Sequence, residues 1–262
     1  MRENLFEGNA VTLNYMEYPN RNPPILLLHG ATSRWQSFLP VIPELTHHFH
    51  VYALDFRGHG QSQRMGGAYT LSDYLNDVYV FINECIKEPV IIMGHSLGGM
   101  IGIMLAAKHP ELVKNLIMID TPLTLKPLHR LASAQVEQAN LLIQSLRFSH
   151  FFPGLPMPEG LRQCDPEMLF AMINQFDKTF DQYKEHELFP KITCPALLIR
   201  GGLEHGSLVT DSDLDGALKL LPDLVHVHLP HVGHSPIRQD NEAVLNVLEG
   251  FLNYKKEMKT EK

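Results

Sequence analysis

The sequence predicts an α/β fold on a mostly parallel central sheet, and three observations carry that reading. Five short apolar runs, at 25–28, 50–56, 90–93, 116–119 and 196–199, are mostly continuous where a half-exposed strand would alternate, which suits parallel strands buried on both faces. Between them lie segments whose apolar residues recur every three to four positions, the period of a helix that buries one stripe. Strand and helix therefore alternate along the chain, the order that lays helices on both faces of a parallel sheet.

Taken in order, the runs at 25–28 and 50–56 open the sheet. A helix follows, because Leu71, Tyr74, Leu75, Val78, Ile82 and Cys85 share helical spacing, with Thr70 placed as N-cap and Asp73 at the positive end. The run at 90–93 leads through a glycine-rich turn into 100–107, a stretch of good helix formers. After the run at 116–119 the alternation breaks: residues 123–187 have helical periodicity and no convincing strand. They are expected to form a helical cap inserted into a core domain made of 1–122 and 188–262. Within the insertion Asp165 and Pro166 suit an N-cap and first helical position, ahead of a stripe of Met168, Leu169, Met172, Ile173, Phe176 and Phe180. The run at 196–199 resumes the sheet. Near the end, Val244, Leu245, Leu248, Phe251 and Leu252 predict a last helix behind caps at Asp240 or Asn241.

Composition excludes several classes of function. The chain has 262 residues, 44% of them hydrophobic and 19% charged, the balance of an ordinary globular protein. A net charge of −7 argues against nucleic acid as a partner, since such binding depends on clustered Lys and Arg. No apolar run approaches the roughly 18 residues that cross a bilayer, and residues 1–10 lack the apolar core of a secretory signal. A cytoplasmic protein with no membrane partner is expected. Cys85, Cys164 and Cys194 are too few and scattered for a disulfide framework or a zinc site. His47, His48 and His50 stand together without carboxylates or thiols at ligand spacing, so no metal or other cofactor is expected.

The chemistry concentrates at Gly94-His95-Ser96-Leu97-Gly98-Gly99. A G-x-S-x-G match occurs by chance in roughly one chain of this length in ten, but here it lies between a strand and a helix, where the glycines permit a strained turn that lifts the serine clear of the sheet. A serine hydroxyl needs a base and a group to orient that base. His234, in the loop after the apolar run at 225–229, is the expected base, with His231 the near alternative. The orienting acid is expected between serine and histidine, on a loop that follows a strand. Glu204, after the run at 196–199, is the first candidate and Asp120, ending the run at 116–119, the second. Ala31, after His29-Gly30, and Leu97 can offer backbone N–H groups to an oxyanion. Phe148, Phe151, Phe152 and Met172 of the insertion are expected to line an apolar substrate pocket.

Together these segments, with Asp55-Phe56-Arg57-Gly58-His59-Gly60-Gln61-Ser62, resemble the α/β-hydrolase superfamily. The likeness is greatest to its single-domain esterase, lactonase and perhydrolase-like members with a helical cap. The resemblance implies a serine, acid and histidine acting together, an oxyanion hole at Ala31 and Leu97, and a cap after the sixth strand. The family acid is usually Asp in G-x-x-D, whereas this chain has Gly201-Gly202-Leu203-Glu204, which keeps Asp120 in view. Relatives that attack with Asp, the haloalkane dehalogenases and epoxide hydrolases, are excluded by Ser96. C–C bond hydrolases of the fold typically carry a Gly-Pro-Gly-like loop after His-Gly, which Ala31-Thr32-Ser33-Arg34 lacks. Hydrolysis of a small, apolar ester, thioester or lactone is the expected activity. The alternatives are a C–C bond hydrolase and a non-catalytic ligand receptor on the same scaffold.

Overall fold

Eight strands form one sheet in the computed structural model, which describes residues 1–149, 159–221 and 223–253. They are β1 (Arg2–Glu7), β2 (Thr12–Tyr18), β3 (Pro24–Leu28), β4 (His50–Leu54), β5 (Val90–His95), β6 (Val113–Ile119), β7 (Ala196–Gly201) and β8 (Val225–Leu229). Their order across the sheet is β1-β2-β4-β3-β5-β6-β7-β8. β1 pairs with β2, and β2 with β4, in antiparallel fashion; every later pairing is parallel. The five runs read from the sequence are strands β3 to β7, all of them interior to the sheet. The hairpin β1–β2 escapes the same reading because β1 is mostly exposed, with polar residues interleaved. β4 stops at Leu54 rather than at residue 56: Asp55 N–H still donates to Asn14 O at 2.8 Å, but Phe56 N–H turns to His29 Nε2 at 3.0 Å.

The helices are α1 (Ile42–Leu45), α2 (Leu71–Phe81), α3 (Leu97–Lys108), α4 (Lys126–Ala134), α5 (Val136–Ser149) and α6 (Glu159–Arg162). They continue with α7 (Pro166–Asn174), α8 (Phe176–Phe180), α9 (Glu185–Leu188), α10 (Asp211–Leu220), α11 (Pro236–Gln239) and α12 (Asn241–Leu252). Thr70 and Asp73 cap α2 reciprocally, Asp165 caps α7 and Asp240 caps α12, as the residue types predict. Side chains alternate across the sheet. Leu26 and Leu28 pack with α2, α3 and α10 on one face, while Ile25 and Leu27 pack with Trp35, Phe38, α1 and α12 on the other.

The described residues between β6 and β7 contain helices α4 to α9 and no strand. The expected insertion boundary at 187 falls inside α9. The segment lies against the core: Asp165 N–H donates to Gly58 O at 2.7 Å, Arg34 Nη1 to Gln163 Oε1 at 2.6 Å, and Tyr183 O–H to Pro122 O at 3.0 Å. No described helix is long and apolar enough to cross a membrane.

Candidate active site

Ser96 sits between β5 and α3 with φ 52° and ψ −114°, a conformation that costs a non-glycine residue energy and persists only where the surroundings impose it. They do so here. A Cβ on Gly98 would stand 2.0 Å from Leu28 O, and one on Gly94 would stand 2.4 Å from the Gly98 carbonyl, so strand and helix approach more closely than any other residue allows. Ser96 N–H donates to Ile119 O at 3.1 Å, tying the turn to β6. Leu97 opens α3, and its N–H, like others of a first helical turn, has no acceptor within the helix.

His234 reaches this serine from the loop after β8. Its Nε2 is 3.1 Å from Ser96 Oγ and its Nδ1 is 2.7 Å from Asp120 Oδ2. The ionised carboxylate only accepts, so Nδ1 carries the proton and the lone pair of Nε2 faces the hydroxyl. Asp120 is fully buried. It also accepts from Ser207 Oγ at 2.5 Å, Gly201 N at 3.0 Å and Leu208 N at 3.0 Å. Burial works against its ionised form, but the bonds from His234, Ser207, Gly201 and Leu208 outweigh it and hold its pKa below the usual carboxylate value.

The expectation of Glu204 as the orienting acid is therefore corrected. Glu204 lies in a single 3-10 turn, Leu203–His205, where it is exposed, and its carboxyl turns back beside Gly202. The position at His234 is taken by Asp120, the second candidate. His231 is also out of place: it is exposed and its Nε2 meets Asp240 Oδ2 at 2.6 Å. His226 and His228 are exposed on β8.

A cavity of about 360 Å³ opens beside Ser96, walled by the segment after β3 and by the start of α11. Ala31 lies on it, together with Thr32, Ser37, Ser235 and Arg238. None of the described insertion residues lines it, which corrects the expected apolar pocket. Phe148 is 61% exposed on the outside. Met172, on α7, packs against the core. Phe151 and Phe152 lie outside the described residues. Other described rings of the insertion pack among themselves: Phe176 and Phe180 lie 4.6 Å apart with their planes tilted by 34°, and Arg147 lies over Phe170.

The segment Asp55 to Ser62 touches none of the reacting groups. Asp55 accepts from Trp35 N at 2.7 Å, Asn14 Nδ2 at 2.8 Å and Gln61 N at 3.2 Å. Arg57 forks onto Asp77 with two bonds of 2.6 Å. Behind the site His29 is buried with Nδ1 donating to Gly30 O at 2.7 Å and Nε2 accepting from Phe56 N at 3.0 Å, so both bonds fix a neutral ring. The sequence reading passed over Ser207 and His95. His95 Nε2 donates to the backbone carbonyl of His234 at 2.6 Å, and Ser207 had only the left-handed Gly206 (φ 91°) before it as a signal of a sharp turn.

A family model described as alpha/beta hydrolase fold matches residues 23–164. The 2-(acetamidomethylene)succinate hydrolase of Mesorhizobium japonicum is 27% identical, over 93% of this chain and 92% of its own. The crystal structure of an E-2-(acetamidomethylene)succinate hydrolase superposes with a TM-score of 0.77 at 25% identity, covering 96% of this chain and 99% of that one. The enol-lactonase of Burkholderia xenovorans shares the fold at 20% identity, with a TM-score of 0.75 over 95% of this chain and all (100%) of its own.

Proposed function

The chain belongs to the alpha/beta hydrolase fold family, and from that premise we propose that it is a serine hydrolase that forms an acyl-enzyme on Ser96. The observation that carries the reading is the unbroken hydrogen-bond chain from Ser96 through His234 to Asp120 at the mouth of a cavity. Full-length relatives named as hydrolases support it.

In this mechanism Ser96 Oγ attacks a substrate carbonyl as His234 Nε2 takes the hydroxyl proton. Asp120 holds the imidazole by Nδ1 and stabilises the imidazolium that forms. The carbonyl oxygen gains negative charge and is held by the N–H groups of Ala31 and Leu97. The tetrahedral adduct collapses, His234 gives its proton to the leaving group, and the acyl group remains on Ser96. Water, deprotonated by the same imidazole, then releases the acid. The cavity of about 360 Å³, lined by Thr32, Ser33, Gln36 and Ser37 beside Ala31, Pro40 and Ile237, favours a small activated acyl compound such as an ester, thioester or lactone over one with a long chain. The insertion acts as a helical cap, its Gln163 tethered to Arg34 beside the oxyanion loop.

A fluorophosphonate probe is expected to label Ser96, and the Ser96→Ala variant to stay unlabelled. A burst of p-nitrophenol from p-nitrophenyl acetate, equal to the enzyme present, is the kinetic counterpart. Labelling that persists in Ser96→Ala sinks the proposal.

A further inference from the structure

Arg238 lines the cavity beside Ser96, and among the described residues it has neither an ion-pair partner nor a side-chain hydrogen bond. Three other arginines show the contrast, since Arg57, Arg147 and Arg200 each meet a carboxylate. No Asp or Glu lines this cavity, in a chain that has 29 of them and a net charge of −7. Two further atoms on the same wall lack partners: Gln36 Oε1 and Ser37 Oγ are buried and unbonded. Buried polar atoms are nearly always satisfied, and of these two Gln36 Oε1 can only accept a hydrogen bond whereas Ser37 Oγ can give or take one. Burial above all keeps the neighbouring His95 at about 4, and the charges of His234 and Arg238 push the same way. Arg238 is thus the permanent cation of the cavity.

We propose that this cavity is a subsite for a carboxylate of the substrate, held by the Arg238 guanidinium, with Gln36 and Ser37 hydrogen-bonding the polar atoms beside it. The inference rests on the reading of Ser96 as nucleophile, which places the reacting carbonyl at the cavity mouth. A guanidinium matches a carboxylate with two parallel N–H···O bonds, a geometry that a neutral amide cannot return. A cavity of about 360 Å³ lies at the small end of ligand sites, so the substrate is a short acid with the scissile carbonyl a few atoms from its carboxylate.

Calorimetric titration with glutarate and with its neutral diamide, glutaramide, tests this without any turnover. Glutarate should bind at least about tenfold more tightly than glutaramide, in keeping with a hydrogen-bonded charge pair. Arg238→Gln should abolish that preference and Arg238→Lys should keep part of it. The exposed position of Arg238 leaves folding intact, and thermal melts verify this for both variants. Equal affinities, failure of both ligands to bind, or a preference that survives Arg238→Gln would overturn the subsite. Fluorophosphonate labelling of the same samples separates the two readings. An unlabelled Ser96 with the glutarate preference intact overturns the hydrolase reading and keeps the subsite, while a labelled Ser96 without the preference does the reverse.

Discussion

The ends of β6 and β7 are neighbours in the sheet, each followed by a carboxylate, yet the two carboxylates have opposite surroundings. Asp120, after β6, is fully buried and accepts four hydrogen bonds. Glu204, three residues after β7, stands exposed in one 3-10 turn. The carboxylate that meets His234 is thus the one surrounded by donors. The loop after β7 does not supply the acid, but it supplies three of the groups that hold one: Gly201 N–H, Ser207 O–H and Leu208 N–H. The carboxylate stands at the end of one strand and most of its donors on the loop after the next.

The strongest way to break this comparison is to neutralise each carboxylate in turn. Asp120→Asn should lower kcat on an activated ester by about 10⁴-fold, the loss expected when the imidazole is left in the wrong tautomer. A crippled Glu204→Gln beside an active Asp120→Asn would reverse the assignment.

The contrast of enclosed and exposed groups extends to the imidazoles. Burial holds His29 at about 4 and His59 at about 3, against an ordinary 6.5. Below pH 6.5 the unfolded chain binds protons that the native chain refuses, so stability is full above 6.5 and is lost as the pH falls towards about 4. At pH 5 the loss should be on the order of 2 kcal/mol for each ring. Urea unfolding at pH 7 and pH 5 measures it, and an unchanged midpoint would count against these rings being held neutral.

Smaller effects sharpen the picture. Ser207→Ala removes the shortest bond to Asp120 and should reduce kcat/KM by about tenfold, with Ser207→Thr restoring most of it. No change in Ser207→Ala would mean that the backbone donors suffice. Glu204→Gln, read by the same assay, should stay within about twofold, as surface substitutions do.

How much of this was legible beforehand depends on the range of each signal. The elbow at Ser96 and the caps at Thr70, Asp165 and Asp240 are local: strand, turn and helix follow within a few residues, so the order of residue types shows them. His234 was legible because a loop after the last strand reaches the same sheet edge. The acid was not, because its selection depends on donors 81 to 88 residues away, which no local pattern encodes. The cavity wall was misread for a related reason. Aromatic density does not say what each ring meets: Phe176 and Phe180 pack together against the core, whereas Phe148 is exposed.

Asp55 has a consequence for how the site is assembled. The donors to its carboxylate, Asn14 Nδ2 and the backbone N–H groups of Trp35 and Gln61, all come from the first quarter of the chain, so the backbone that carries Gln36 and Ser37 is anchored by residues synthesised long before His234. Ser96 arrives later, at the end of β5, and is joined to that wall through the pairing of β3 with β5. One side of the cavity is therefore an early, locally closed unit. The other arrives later: Ser96 is set against the first by the register of β3 with β5, and His234 and Arg238 follow β8.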